Sequence, residues 1–206
     1  MRISPSNVPV SCIAVACVVL ALASCATSHG PYDYAAEPDP RKHDFVVGPS
    51  DVLRVNVWHN PDLSADPVVR PDGNITLPLL GDIEAAGHTP AEIRKVIEGR
   101  LKTFVKDDAA IVTLAVATVN SYRFTVSGNV EKPGSYSSTK YVRVSEAVAL
   151  AGGPNRFASP EKMILQRWES KGAGTRRIPI DYPRILTGER IQEDLTILAG
   201  DSIYVP

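Results

Sequence analysis

The chain has 206 residues, with 22 Lys and Arg against 23 Asp and Glu and a formal net charge of −1 at pH 7. That balance gives no support for nucleic-acid binding, which needs a basic face to displace counterions from phosphates. A hydrophobic content of 44% is enough to bury a core, and 17 prolines with 14 glycines against 6% aromatics point to many turns in a strand-rich fold of one domain or two small ones.

At the amino terminus, Met1-Arg2 gives a short positive start and Val8 to Ala23 is an uncharged, mostly apolar run. It matches a secretory h-region better than a membrane span, which needs about 20 apolar residues. The run ends Leu22-Ala23-Ser24-Cys25. Small residues before the cut suit a signal peptidase, and a Cys at the cut is what a diacylglyceryl transferase modifies. This resembles a bacterial lipobox, so residues 1–24 are expected to be a lipoprotein signal peptide and Cys25 the lipid attachment site. Cysteine usage agrees: the chain has 3 Cys, and Cys12 and Cys17 lie in the segment to be removed. The mature chain would then hold no free thiol and no disulfide. Ala26, not Asp, follows the Cys, which in enteric-type sorting resembles an outer-membrane destination on the periplasmic face. A single lipidated end anchors without spanning.

Residues 25–44 are polar and broken by Pro31, Pro38 and Pro40, and read as a tether. Structure is expected from Phe45-Val46-Val47, with a turn at Gly48-Pro49-Ser50-Asp51 and an alternating strand carrying Leu53, Val55 and Val57 on one face. Val68-Val69-Arg70 and Ile75-Thr76-Leu77 flank Pro71-Asp72-Gly73-Asn74, which reads as a hairpin with Gly73 at positive φ. A helix follows. Thr89 caps it, Pro90 fits its first position and Glu92 completes a capping box. Ile93, Val96, Ile97, Leu101 and Phe104 form its apolar stripe. After Asp107-Asp108, Ile111 to Val119 reads as a strand. This makes a first unit of β-β-β-α-β, residues 45–120.

A second unit, residues 121–206, opens with a strand from Phe124 to Val130 and a turn at Lys132-Pro133-Gly134. Val144 to Ala151 reads as a short helix stopped by Gly152-Gly153-Pro154. Met163 to Trp168, Arg177 to Ile180 and Ser202 to Val205 are further strands. A small residue, then Asp, then a strand occurs at both Ser50-Asp51 and Gly200-Asp201, which suggests one turn chemistry used twice. The fold class is therefore α+β, as two small tandem domains.

No catalytic constellation emerges. His29, His43, His59 and His88 lack ligand spacing, so no metal site is expected. There is no nucleophile elbow and no P-loop, and Gly152-Gly153 closes a helix instead of opening one. Adjacent strand residues point to opposite faces, so Asp107-Asp108 reads as a solvated turn. Asp51 and Asp201 read as structural. Trp58 and Trp168 could stack on sugar rings, but packing in the core or between units is the stronger expectation for both. No cofactor is expected, and the chain does not read as an enzyme.

Val47-Gly48-Pro49-Ser50-Asp51-Val52-Leu53, Asn60-Pro61-Asp62-Leu63-Ser64, Val69 to Gly81 and Gly87 to Ile93 together resemble the polysaccharide export domain of the outer-membrane polysaccharide export (Wza-like) family. Val126 to Gly134 and Ala147 to Gly153 resemble that family's SLBB (soluble ligand-binding β-grasp) domain. The turn residues within these motifs are Asp51, Gly73, Gly81, Gly134, Gly153, Gly200 and Asp201. The resemblance implies a homo-oligomeric ring in the periplasm, anchored to the outer membrane by lipid, which passes polysaccharide on from an inner-membrane co-polymerase. A ring needs head-to-tail interfaces that close by rotation. The sequence given ends at Tyr204-Val205-Pro206, without the amphipathic helix that crosses the outer membrane in long members. It therefore resembles the short members, including those in exosortase-linked exopolysaccharide clusters, and a separate outer-membrane β-barrel is expected to form the pore. The rival reading is a periplasmic lipoprotein that binds a saccharide or small molecule. A third is an envelope scaffold that never contacts polymer.

Overall fold

The computed structural model describes residues 32–104, 111–169 and 174–206. The expected signal peptide, Cys25, His29 and the Asp107-Asp108 pair lie outside the described residues. No helix among the described residues is long and apolar enough to cross a membrane.

The first domain is built from two antiparallel strand pairs and a helix. Strand β1 (Val52–Val57) pairs with β4 (Val112–Thr118), and β2 (Asn74–Leu77) pairs with β3 (Gly81–Glu84). Alternation places Leu53, Val55 and Val57 in the core and Arg54 and Asn56 on the solvent side. Helix α1 (Pro90–Leu101) packs against β4 and β3. Its capping box forms as the sequence implied, with the Thr89 hydroxyl accepting from Glu92 N at 3.3 Å and the Glu92 carboxylate accepting from Thr89 N at 2.8 Å. Its buried stripe is narrower than expected. Ile93, Ile97 and Leu101 recur every fourth residue and are buried, whereas Val96 and Phe104 are exposed.

Two further expectations are corrected here. Phe45-Val46-Val47 is not a strand. Val47 is buried through bonds that its backbone exchanges with Gly87 and His88, while Val46 faces solvent. The turn at Arg70 to Gly73 does form, closed by Gly73 N donating to Arg70 O at 2.9 Å. Val68, however, makes a single bridge to Val52, and the hairpin partner of β2 is β3. Leu79 at φ 65° and Gly81 at φ 68° turn the chain between these two strands.

The second domain is a five-stranded sheet in the order β6-β5-β9-β7-β8. Its strands are β5 (Arg123–Gly128), β6 (Gly134–Ser137), β7 (Met163–Glu169), β8 (Gly174–Ile180) and β9 (Ser202–Val205). The last strand lies in the middle, parallel to β5 and antiparallel to β7. Residues 202–205 are therefore integral to this domain. Gly128 shows how closely the two strands meet, since a Cβ there would stand 2.0 Å from Val205 O and its φ is +88°. Helix α2 (Val144–Leu150) buries Val144, Ala147 and Val148, and helix α3 (Tyr182–Leu186) buries Ile185. Phe124, Val126, Leu165, Ile178 and Ile203 are among the core residues. Tyr122 completes that core with its hydroxyl donating to Ile197 O and accepting from Val142 N.

Candidate functional site

The two Asp turns share one geometry. Before β1, Asp51 N donates to Gly48 O at 3.3 Å and the Asp51 carboxylate accepts from Gly48 N at 2.9 Å. Before β9, Asp201 N donates to Leu198 O at 3.1 Å and the Asp201 carboxylate accepts from Leu198 N at 2.8 Å. The preceding residue has positive φ in each, 74° at Ser50 and 85° at Gly200. Each carboxylate thus closes its own turn from the inside, and both are buried. Of the other turn residues, Gly73 and Gly153 have φ of 87° and 85°, whereas Gly134 starts β6 without a positive φ.

Beyond its own turn, each Asp holds a different partner. Asp51 reaches the linker between the domains, accepting from Asn120 N at 2.8 Å, Ser121 N at 2.7 Å and the Ser121 hydroxyl at 2.9 Å. Gly48 makes room for this approach, because a Cβ there would lie 2.5 Å from Ser121 Cβ. Asp201 instead pairs with Arg167 at 2.7 Å, and Arg167 also meets Glu37 at 2.7 Å. Burial is the largest influence on Asp201 and pushes its carboxyl above the ordinary carboxylate range, against the Arg167 guanidinium and the Leu198 amide. Burial likewise opposes the Arg167 charge, but the Asp201 and Glu37 carboxylates outweigh it and hold Arg167 above the usual arginine value.

Glu37 lies in the segment read as a tether, and that reading is corrected from Asp33 onward. The Glu37 side chain is 2% exposed and is held between Arg167 and Arg176, at 2.7 and 2.8 Å. Asp33 and Asp39 cap two short 3₁₀ turns, and the Tyr34 hydroxyl donates to Pro179 O at 2.8 Å. This segment is docked on β7 and β8. Proline and charge made it look solvated because the partners of Glu37 lie more than a hundred residues away.

The tryptophans also depart from expectation. Trp58 is 63% exposed and Trp168 is 71% exposed, so neither packs in the core. Trp58 stands at the end of β1 beside a groove of about 710 Å³ lined by Asn56, His59, Asn60, Ile111 and Thr113, with Val57, Pro61 and Ser64 completing it. His59 meets the indole edge-on at 5.0 Å and adopts a φ of 58°. No group of His, Cys, Asp or Glu among the described residues is arranged to hold a metal ion.

With this geometry in view, residues 39–117 match the family model described as polysaccharide biosynthesis/export protein, and residues 123–181 match the SLBB domain. The chain is similar to the exopolysaccharide production protein ExoF of Rhizobium meliloti, at 30% identity over 64% of this chain and 34% of that protein. It is also similar to the capsule polysaccharide export outer membrane protein CtrA of Neisseria meningitidis, at 30% identity over 46% of this chain and 24% of that one. The polysialic acid transport protein KpsD of Escherichia coli is 23% identical over 53% of this chain and 20% of its own length. The chain thus spans about a third or less of the curated relatives that it matches.

Proposed function

Because the chain belongs to the outer-membrane polysaccharide export family, with an export domain followed by an SLBB domain, we propose that it is a lipid-anchored periplasmic component of a capsule or exopolysaccharide export channel. The observation that carries this reading is the pair of domains in that order, shared in part with relatives named for polysaccharide export and production. In this role copies of the chain close into a homo-oligomeric ring, held to the outer membrane by a lipid on Cys25. The ring receives polymer from an inner-membrane co-polymerase and delivers it to a separate outer-membrane β-barrel. A long hydrated polymer is guided by small domains with polar surfaces, and no bond is made or broken by the conduit.

Deleting the gene tests the role. Surface polysaccharide should be lost while the repeat unit is still made at the inner membrane, with polymer absent or held in the periplasm. Normal surface polysaccharide in the deletion strain would remove the export role and favour a binding lipoprotein. Cys25→Ser tests the anchor separately. It should abolish lipid labelling and release the protein into the soluble periplasmic fraction, and unchanged membrane association would sink the lipobox.

A further inference from the structure

We propose that the groove beside Trp58 is a binding subsite for uncharged sugar units, in which the indole stacks on the apolar face of a pyranose ring. The proposal rests on the export reading for its polymer, but the groove has its own argument. A large aromatic face left 63% exposed at the end of a core strand is unsatisfied apolar surface, and Ile111 beside it is 64% exposed. Trp58 is held there by backbone, its N donating to Ile111 O at 2.9 Å, and by Asn60, whose side-chain amide donates to Trp58 O at 3.1 Å. The edge-on His59 ring braces the indole from one side. His59 does so from a left-handed backbone, a conformation that persists where the surrounding structure imposes it and that clusters at binding sites.

The chemistry of the walls selects the ligand. None of the described lining residues is Asp, Glu, Lys or Arg. Among the described lining residues a charged ligand would find no carboxylate, ammonium or guanidinium to pair with, which favours an uncharged one. What the walls do offer is one aromatic face together with amides and hydroxyls. Asn56 and Thr113 are register partners on the solvent side of the β1–β4 pair. Among the described residues neither side chain has a hydrogen-bond partner, which leaves their donors and acceptors for sugar hydroxyls. A pyranose presents this pairing of an apolar ring face with an equatorial belt of hydroxyls. A second copy of the chain is the competing occupant. A stable interface needs roughly 800 Å² per partner, and a concave groove with one Trp and one Ile exposed is a poor match for that.

The test uses the full chain with Trp168→Phe, so that Trp58 is the remaining tryptophan. Cellotetraose, maltotetraose, mannotetraose and oligosaccharides released by partial hydrolysis of the host's own surface polysaccharide are titrated while indole fluorescence is followed. At least one should shift the emission saturably, and calorimetry should show that Trp58→Ala weakens that binding by about tenfold or more. Trp58 is exposed, so the variant should keep its circular dichroism and melting temperature, and Trp168→Phe alone should bind as wild type does. No saturable change with any of the oligosaccharides would overturn the subsite, as would equal affinity in Trp58→Ala. Loss of self-association in Trp58→Ala with sugar binding unaltered would make the groove an interface between copies and overturn it too. None of these outcomes touches the export reading, which the deletion strain decides.

Discussion

Asp51 is fully buried, and a carboxylate withdrawn from water needs hydrogen bonds in place of its hydration. It finds four donors, the amides of Gly48, Asn120 and Ser121 and the Ser121 hydroxyl. Three of these belong to the linker, so one side chain both closes the turn before β1 and fixes where the chain leaves the first domain. Asp51→Ala would strand those amides in part-buried positions. Bonds to a charged acceptor are worth about 1.5–3 kcal/mol each and are not additive, so the expected loss is about 3 kcal/mol in urea unfolding. A loss below about 1 kcal/mol would show that water replaces the carboxylate. Gly73 makes a smaller demand. Its φ is +87° and an added Cβ would lie 3.2 Å from Ala86 Cβ. Gly73→Ala should therefore cost about 1 kcal/mol or somewhat more, and a variant as stable as wild type would refute the strain.

Helix α1 was readable because its signals are local. Thr89, Pro90 and Glu92 lie within one turn, and each bond they imply is present. The backbone bond from Thr89 is the largest reason that the Glu92 carboxyl sits below its ordinary range. A carboxyl with a lowered folded-state pKa adds stability above its unfolded value, and that stability is lost as pH falls through the folded value. Glu92→Gln should therefore differ most from wild type near pH 7, and the gap should close as pH drops below about 4. A gap that persists or widens in acid would overturn the assignment. Thr89→Ala should cost about 1 kcal/mol at neutral pH. The hairpin of β2 and β3 was not readable in the same way. Its turn puts Leu79 in a left-handed conformation, where an apolar residue sends no turn signal. Asp-Gly at 72–73 sends a strong one, and so attracted the hairpin assignment to the wrong pair of segments. Strand β6 is Gly-Ser-Tyr-Ser, with no buried residue to mark an inward face, and helix α3, at 5 residues, is too short to show a helical period. The exposed Trp58 could not be told from a core Trp either, because alternation along β1 says which face a residue takes only until the strand ends.

At the scale of the whole molecule, the chain visits the second domain twice. Residues from Asp33 dock on β7 and β8, the chain then builds the first domain, and only afterwards does it cross the Asp51 seam to make β5. Glu37 is the fastening point, with Arg167 and Arg176 on either side and Asp201 behind Arg167. Removing one member of a buried charge network usually costs about 3–5 kcal/mol, because a charge is left without compensation. Here Asp201 stays with Arg167, so Glu37→Ala should cost less, about 2 kcal/mol. The consequence for the chain should be more visible than the loss of stability. Arg41 and Lys42 lie a few residues on, in a 3₁₀ turn held by Asp39 and Pro40. Once Glu37 lets go, the Tyr34 hydroxyl on Pro179 O still ties the segment to β8, but the stretch that follows is held less firmly and its backbone opens more often to protease. Trypsin under native conditions should then cut Glu37→Ala at Arg41 or Lys42 well before wild type, while a matched Asp39→Ala variant, which loses the cap but keeps Glu37, should be affected less. Equal cleavage of wild type and Glu37→Ala, with unfolding midpoints that coincide, would mean that the segment is held by other contacts. The alternative result, faster cleavage with stability unchanged, would make Glu37 a latch on the segment without a share in the stability of the second domain.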